Sequence, residues 1–405
     1  MGAQMKIPVY LDRDNYLQNP IMRRFLKAKK LEFVENRADY IKALEDYSDV
    51  NAAQENEIKE WLLKIVKEGS KEFCYRKIAG INENHRDPAL VEAIIKSKYP
   101  NCPMQNILEY RNTKDRTLTE YKIHVNADGE VKKIDFTFSK LMFYGEVGKI
   151  GDVTVFPIFI ELYLDAGMIV SRAKAKSTIY EYDENNRMLL SEYRVPTMDY
   201  AISAIDEIIH IFGFETEKNK KVVKKQNSEM LYRLYQEYSF TPEDVDEKVE
   251  QMIGINRSYV DKIFEDLALD PRNKEKALLD LRILVEKYIS INGDNEDLFK
   301  KDRDAYLIKV SADDEIELTK IDTTSDKTVP LQCTEAFFDS KKSVVKSKKC
   351  NKLNLIFKRD NDMYLKSNPL VVQFGTNKDY GYFKTIQYAE EADIQHVLQA
   401  IFNHY

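Results

Sequence analysis

Residues 153–180 read VTVFPIFIELYLDAGMIVSRAKAKSTIY, and the way this stretch pairs decides the fold. Val153–Leu164 and Met168–Tyr180 are rich in β-branched and aromatic residues, and Asp165-Ala166-Gly167 between them has turn chemistry. Two strands of a hairpin are predicted. Side chains alternate along a strand, so Arg172, Lys174 and Lys176 share one face of the second. Ser171, Ala173, Ala175 and Ser177 share the other and are small enough to take a packed helix. Two registers are open. One sets Glu161 opposite Arg172 as a cross-strand ion pair; a one-residue slip sets Ile160 there and leaves the cations free for phosphates.

Working outward, Tyr121-Lys122-Ile123-His124-Val125 alternates, Ala127-Asp128-Gly129 turns, and Ile134, Phe136 and Phe138 alternate again. Residues 119–182 thus predict an antiparallel meander of four or five strands. A helix carrying Ile202, Ile205, Ile208, Ile209 and Phe212 is expected to cover one face. Before the meander the period is helical: Tyr40, Ile41, Leu44 and Tyr47, then Ile58, Trp61, Leu62, Ile65 and Val66 closed by Gly69, then Asp87-Pro88 opening a helix with Val91, Ile94 and Ile95. After it, Met230, Leu231, Leu234 and Tyr235 mark one helix and Leu278, Leu281, Val285 and Tyr288 another. Asn292-Gly293-Asp294-Asn295 is a boundary signal. Short strands follow at Ala305–Val310, Ile316–Ile321, Leu353–Phe357, Leu370–Phe374 and Tyr380–Ile386, and a last helix carries Ile394, Val397, Leu398, Ile401 and Phe402. The expected class is α+β: a helical N-terminal region (1–115), a central antiparallel meander with its covering helix (116–215), a helical subdomain (216–293) and a small C-terminal α+β domain (294–405).

The bulk numbers limit the function. A 405-residue chain with 43% hydrophobic and 32% charged residues, 13 Gly and 11 Pro is a folded protein of several parts. A net charge of −6 excludes a uniformly basic nucleic-acid coat but allows a local basic face. The four cysteines are scattered, with no pair at metal spacing, so neither a zinc site nor a disulfide framework is expected. The longest apolar run is broken by Pro157 and Glu161, and the first residues lack a signal-peptide pattern, so a cytoplasmic protein with no membrane partner is expected. Phosphate-cradling glycine loops and the hydrolase elbow are missing, and no cofactor is expected.

Residues 241–269, TPEDVDEKVEQMIGINRSYVDKIFEDLAL, read as helix, turn, helix. Thr241 suits the N-cap and Pro242 the first helical position; Gly254 suits the turn, and Val260, Ile263, Phe264 and Leu267 line one face of a second helix that starts near Asn256. The run from Gly254 to Val260, with Lys262 and Ile263, resembles the turn and second helix of helix-turn-helix DNA-binding proteins. That resemblance implies that Asn256, Arg257, Ser258 and Lys262 face base edges. This chain departs from the family in having Glu250 where a small residue marks the helix crossing, and its first helix is strongly acidic. A plain helical hairpin accounts for the same residues.

Two lysine clusters stand out against the acidic total. Lys218, Lys220, Lys221, Lys224 and Lys225 precede the motif. Between Lys341 and Arg359 there are eight basic residues (Lys341, Lys342, Lys346, Lys348, Lys349, Lys352, Lys358 and Arg359) and no acidic one. Such spacing suits a phosphate backbone, which needs charge and no unique geometry. The first reading is therefore a non-catalytic nucleic-acid-binding protein, for DNA rather than RNA, in a bacterial or phage system such as antiviral defence. It would use these clusters, the Arg172/Lys174/Lys176 stripe and the helix-turn-helix polar residues. The second is a scaffold or regulatory subunit whose acidic helices 241–270 dock a basic protein partner. The third is a metal-dependent nuclease drawing together Asp135, Asp152, Glu161 and Lys174.

Overall fold

The computed structural model describes residues 5–175, 178–292, 296–314, 319–326, 328–359 and 369–405; Lys176 lies outside them. In chain order the helices are α1 (Val9–Arg13), α2 (Asn19–Ala28), α3 (Arg37–Ser48), α4 (Ala52–Lys67), α5 (Pro88–Lys98), α6 (Thr197–Phe212), α7 (Lys220–Tyr238), α8 (Glu243–Gln251), α9 (Ile253–Asp266), α10 (Lys274–Ile291), α11 (Glu296–Lys300), α12 (Glu335–Ser347) and α13 (Glu391–Asn403). The strands are β1 (Lys71–Lys77), β2 (Thr117–Val125), β3 (Val131–Ser139), β4 (Leu141–Tyr144), β5 (Asp152–Val155), β6 (Ile158–Tyr163), β7 (Met168–Lys174), β8 (Ile179–Glu181), β9 (Ala305–Asp314), β10 (Thr319–Thr324), β11 (Lys352–Phe357), β12 (Leu370–Thr376) and β13 (Gly381–Thr385). The protein is a mixed α+β fold with antiparallel sheets. No described helix is long and apolar enough to cross a membrane.

The chain forms two compact units. The first comprises residues 1–219, 361–368 and 380–396. Its strands run in the order β13-β1-β7-β6-β3-β2, each neighbour antiparallel. One face takes α5 and α6: Ile205, Ile208 and Phe212 pack on Ile134, Phe136, Ile160, Leu162 and Ile169. Ala173 belongs to that cluster and Ser171 is buried, so the small-residue face of β7 receives the helix, as its composition predicts. The N-terminal helices gather a separate core around Leu44, Ile58, Leu62, Ile65 and Val66, which includes Phe159 and Tyr388. Asp87 caps α5 by accepting from the amides of Ala89 and Leu90 at 2.8 and 3.1 Å, with Pro88 in the first turn.

The meander departs from expectation at two corners. Val153–Leu164 is not one strand: it breaks at Phe156-Pro157, where the proline has no N–H to give a ladder. Before the break β5 joins a small sheet of order β5-β4-β8; after it β6 joins the large one. The partner run also breaks, β7 entering the large sheet and β8 the small. The hairpin register is neither of the two anticipated: Tyr163 faces Met168 and Phe159 faces Arg172. The loop Leu164–Gly167, with Gly167 at φ +60°, is longer than the turn assumed from Asp165-Ala166-Gly167, and each added residue shifts the pairing. β1 and β13, flanking the meander on one side, come from segments far from it in sequence.

The second unit comprises residues 220–360, 369–379 and 397–405. Its strands run β10-β9-β11-β12, all antiparallel. α7 packs on β9, β11 and β12 through buried Met230, Leu231, Leu234 and Tyr235, and α12 packs on β9 and β10. α8, α9 and α10 form a helical group in which Val245 and Val249 meet Phe299, Val285 and Ile289.

Candidate nucleic-acid interface

The lysine clusters are brought together by a backbone contact inside the second unit. The amide of Cys350 donates to the carbonyl of Ser228 at 3.0 Å, and the Ser228 hydroxyl reaches Asn351 Oδ1 at 3.4 Å. Lys224 is one helical turn before Ser228 on α7, with Lys225 beside it; Lys348 and Lys349 immediately precede Cys350, and Lys352 opens β11. Lys224, Lys225, Lys348 and Lys352 are exposed and Lys349 is half-buried. Lys221 and Lys346 are exposed on the same two helices. Lys348 closes α12 in the left-handed region at φ +51°, its amide bonding the Val344 carbonyl at 3.1 Å. A lysine there costs roughly 1 kcal/mol relative to glycine but puts a cation at the negative end of the helix dipole.

Other lysines of these runs are engaged within the fold. Lys341 Nζ holds both oxygens of Glu286 at 2.7 and 2.8 Å, and Lys342 holds Asp280 at 2.7 Å. Lys220 pairs with Asp379 at 3.1 Å, and Lys225 loosely with Glu229 at 3.7 Å. Lys358 is exposed and Arg359 half-buried at the far end of β11. The run Lys341–Arg359 therefore divides: its first turn braces α10, its middle lies beside α7, and its end is remote along β11.

The helix-turn-helix residues stand differently from the family pattern. Thr241 is no cap, because its hydroxyl donates to Glu286 Oε1 at 2.5 Å, and Pro242 takes the N-cap position without a side-chain bond. The chain turns at Met252 alone, in near-helical geometry, and Gly254 lies in the first turn of α9 with no positive φ. Asn256 is half-buried, while Arg257, Ser258 and Lys262 are exposed; Ser258 Oγ donates to the Gly254 carbonyl at 3.0 Å. The expected apolar face also ends early, since Val260 and Phe264 are buried but Leu267 is exposed.

The stripe on β7 is corrected more sharply. Arg172 is fully buried. Its guanidinium donates to Glu161 Oε1 at 2.7 Å, to Glu391 at 2.5 and 3.1 Å and to the Lys67 carbonyl at 3.3 Å, so it is unavailable to a phosphate. Phe159 and Glu161 lie two residues apart on β6, so both share Arg172's face; the ion pair forms diagonally although the register differs from the one that anticipated it. Burial works against the guanidinium's charge, but Glu161 and Glu391 outweigh it and raise its pKa. Lys174 donates to the Asn15 carbonyl at 2.5 Å and lies over the Tyr16 ring.

Of the nuclease candidates, the fold joins two. Asp135 and Glu161 are direct partners across β3 and β6 and line a cleft of about 540 Å³ with Lys64, Lys67, Glu120, Lys133 and Glu391. Asp152 is exposed on the small sheet, 3.8 Å from Arg13, and neither it nor Lys174 enters the cleft. Asp135, Glu161 and Glu391 are each matched by a cation of the fold itself, while Glu120 accepts from the Thr137 hydroxyl at 3.2 Å. Asp135 meets Lys133 at 3.0 Å and His124 at 2.9 Å, which hold its pKa down against the opposing effect of burial. Glu161 takes Arg172 on one oxygen and the Tyr163 hydroxyl, at 2.7 Å, on the other. Gln395 donates to Glu391 and to Tyr163 at 2.7 and 3.1 Å. Among the described residues no group of three or more His, Cys, Asp or Glu could hold a metal ion. Glu391 and Gln395 escaped sequence reading because they join the cluster from more than two hundred positions away; only the i, i+2 pair Glu161 and Tyr163 carried a local signal. No protein-family model, curated protein or solved structure matches the chain.

Proposed function

We propose that this chain binds the phosphate backbone of nucleic acid, duplex DNA in preference to RNA, through the lysines that α7, the end of α12 and the start of β11 present together. The observation that carries the reading is the Cys350–Ser228 contact, which merges two basic runs more than one hundred residues apart into one surface of exposed lysines. Ammonium groups on flexible stems suit a repeated phosphate, and neutralising several of them releases counterions. Arg172, Lys174, Lys341 and Lys342 are excluded because carboxylates or carbonyls of the fold hold them. The polar residues of α9 are left out as well, since Asp261, Glu265 and Asp266 share that helix and Gly254 makes no turn. Such a protein would act as a cytoplasmic, non-catalytic component of a larger system working on nucleic acid.

The test is equilibrium binding of labelled duplex DNA, duplex RNA and single strands over a salt series, for the parent chain and for K224E/K348E/K352E. Each lost phosphate contact should make the log–log salt slope shallower by about 0.9, so the triple variant should lose roughly 2.7 units of slope. Parent binding that is weak at low salt, or a variant that binds like the parent, would sink the reading.

A further inference from the structure

The cleft over the meander holds two charges that the fold does not answer. Glu120, Lys133, Asp135, Phe159 and Glu161 share one face of β2, β3 and β6 and form its floor, and the last turns of α4 bring Leu63, Lys64 and Lys67 to its side. All of it lies in the first unit, and at about 540 Å³ it is within the range of clefts that hold small ligands. Lys133 answers Asp135, Arg172 answers Glu161 and Glu391, and Lys64 stands 3.7 Å from Glu68. Lys67 and Glu120 remain. The Lys67 ammonium meets the face of the Phe159 ring, 5.4 Å from its centroid, and Glu120 accepts from the Thr137 hydroxyl; among the described residues neither meets an opposite charge. Both are half-buried. Each is also held in place, Lys67 by the bond from Arg172 to its carbonyl at 3.3 Å and Glu120 by Thr137 at 3.2 Å.

Phe159, Thr137 and Glu120 form one row across three neighbouring strands, so about 10 Å of sheet separates the strand beneath the Lys67 ammonium from the strand that carries Glu120. Leu63 and Ile107 supply apolar walls. We propose that the cleft binds a small ω-amino or ω-guanidino acid, its carboxylate on Lys67, its cation on Glu120 and its aliphatic middle against Leu63 and Ile107. The two unanswered charges select this class. With a hydrogen bond of about 2.8 Å at either end, the ligand's own charges stand roughly 5 Å apart. That is too far for the adjacent ammonium and carboxylate of an α-amino acid and suits a short methylene chain. One unpaired ammonium answers a singly charged carboxylate; a phosphate dianion would need Lys64 as well, which Glu68 engages. A ligand with one charge alone leaves the opposite end of the cleft without a partner.

Isothermal titration calorimetry of the full chain with γ-aminobutyrate, δ-aminovalerate and γ-guanidinobutyrate tests this, beside butyrate and butylamine as one-charge controls. At least one of the three is expected to saturate a single site per chain, with each control about ten- to a hundredfold weaker, the effect of losing one charged hydrogen bond. K67Q should lower affinity for that ligand to the level of butylamine, and E120Q to the level of butyrate. Neither side chain bridges to another charge of the fold, so without ligand both variants should melt with the parent, and the parent should gain the most thermal stability when ligand is added. No saturation by any of the three up to about 10 mM, a control that binds as tightly as they do, or an affinity that either variant leaves unaltered would overturn the proposal.

Discussion

At the scale of single residues the two lysine types in this chain should separate by experiment. Lys341 neutralises the buried Glu286, which also takes the Thr241 hydroxyl, so K341A leaves that carboxylate with a hydroxyl alone. We expect it to lower stability by about 2–3 kcal/mol in denaturant titrations while leaving nucleic-acid affinity unchanged. K348E should do the reverse, weakening binding with little change in stability. Arg172 is fully buried, and R172M would leave Glu161 and Glu391 without the guanidinium that joins them; a loss of about 3–5 kcal/mol is expected. The same cluster sets an acid limit. Burial alone would raise the Glu391 pKa, but Arg172 outweighs it and brings the group from its ordinary 4.5 to about 2. A depressed folded-state pKa stabilises at pH above the unfolded value and is lost as pH falls through the folded one. Stability should therefore decline between about pH 4.5 and pH 2, and E391Q should flatten that decline in acid titrations followed by circular dichroism. None of this was legible locally. One of the two registers open in the sequence did set Glu161 opposite Arg172, but the second carboxylate arrives on a helix that periodicity alone could not assign to that strand.

Elements were legible where a single period runs uninterrupted, as in α6, α7 and α13, and obscure where one residue changes the direction of the chain. Pro157 divides an apolar run that otherwise reads as one strand, because the missing N–H matters only once a neighbouring strand asks for it. α12 went unseen among its lysines; its inward Phe337, Phe338 and Val344 are too few to outweigh a charged run, and it ends on Lys348 where glycine would have announced a cap. Gly254 misled in the opposite sense, suggesting a turn that Met252 makes instead. G254A discriminates the two geometries. In the first turn of α9 there is open space for a Cβ and no positive φ, so the variant should gain about 0.4–1 kcal/mol and raise the melting temperature. A glycine needed in a turn would make the same change destabilising.

At the scale of the whole molecule the α+β class followed from the alternation of periods along the chain, whereas the grouping into units did not, because it depends on which segments return. Residues 380–396 belong to the first unit although the second intervenes. They supply β13, which pairs with β1 through Phe383 and Phe73, and the start of α13, which carries Glu391. Ending the chain before Tyr380 should accordingly do more than shorten it: β1 loses one of its two antiparallel neighbours and Arg172 keeps one carboxylate, and the fragment is expected to bind hydrophobic dye and to aggregate on gel filtration. The late return also bears on how the protein is made. A ribosome delivers residues in order, and Glu391 emerges 219 positions after Arg172. At about 5–20 residues per second, the first unit waits on the order of ten seconds or more with a strand edge bare and a buried guanidinium half-neutralised, until the second has been synthesised. Throughout that interval the nascent chain depends on chaperones, or on the speed of translation, for its protection.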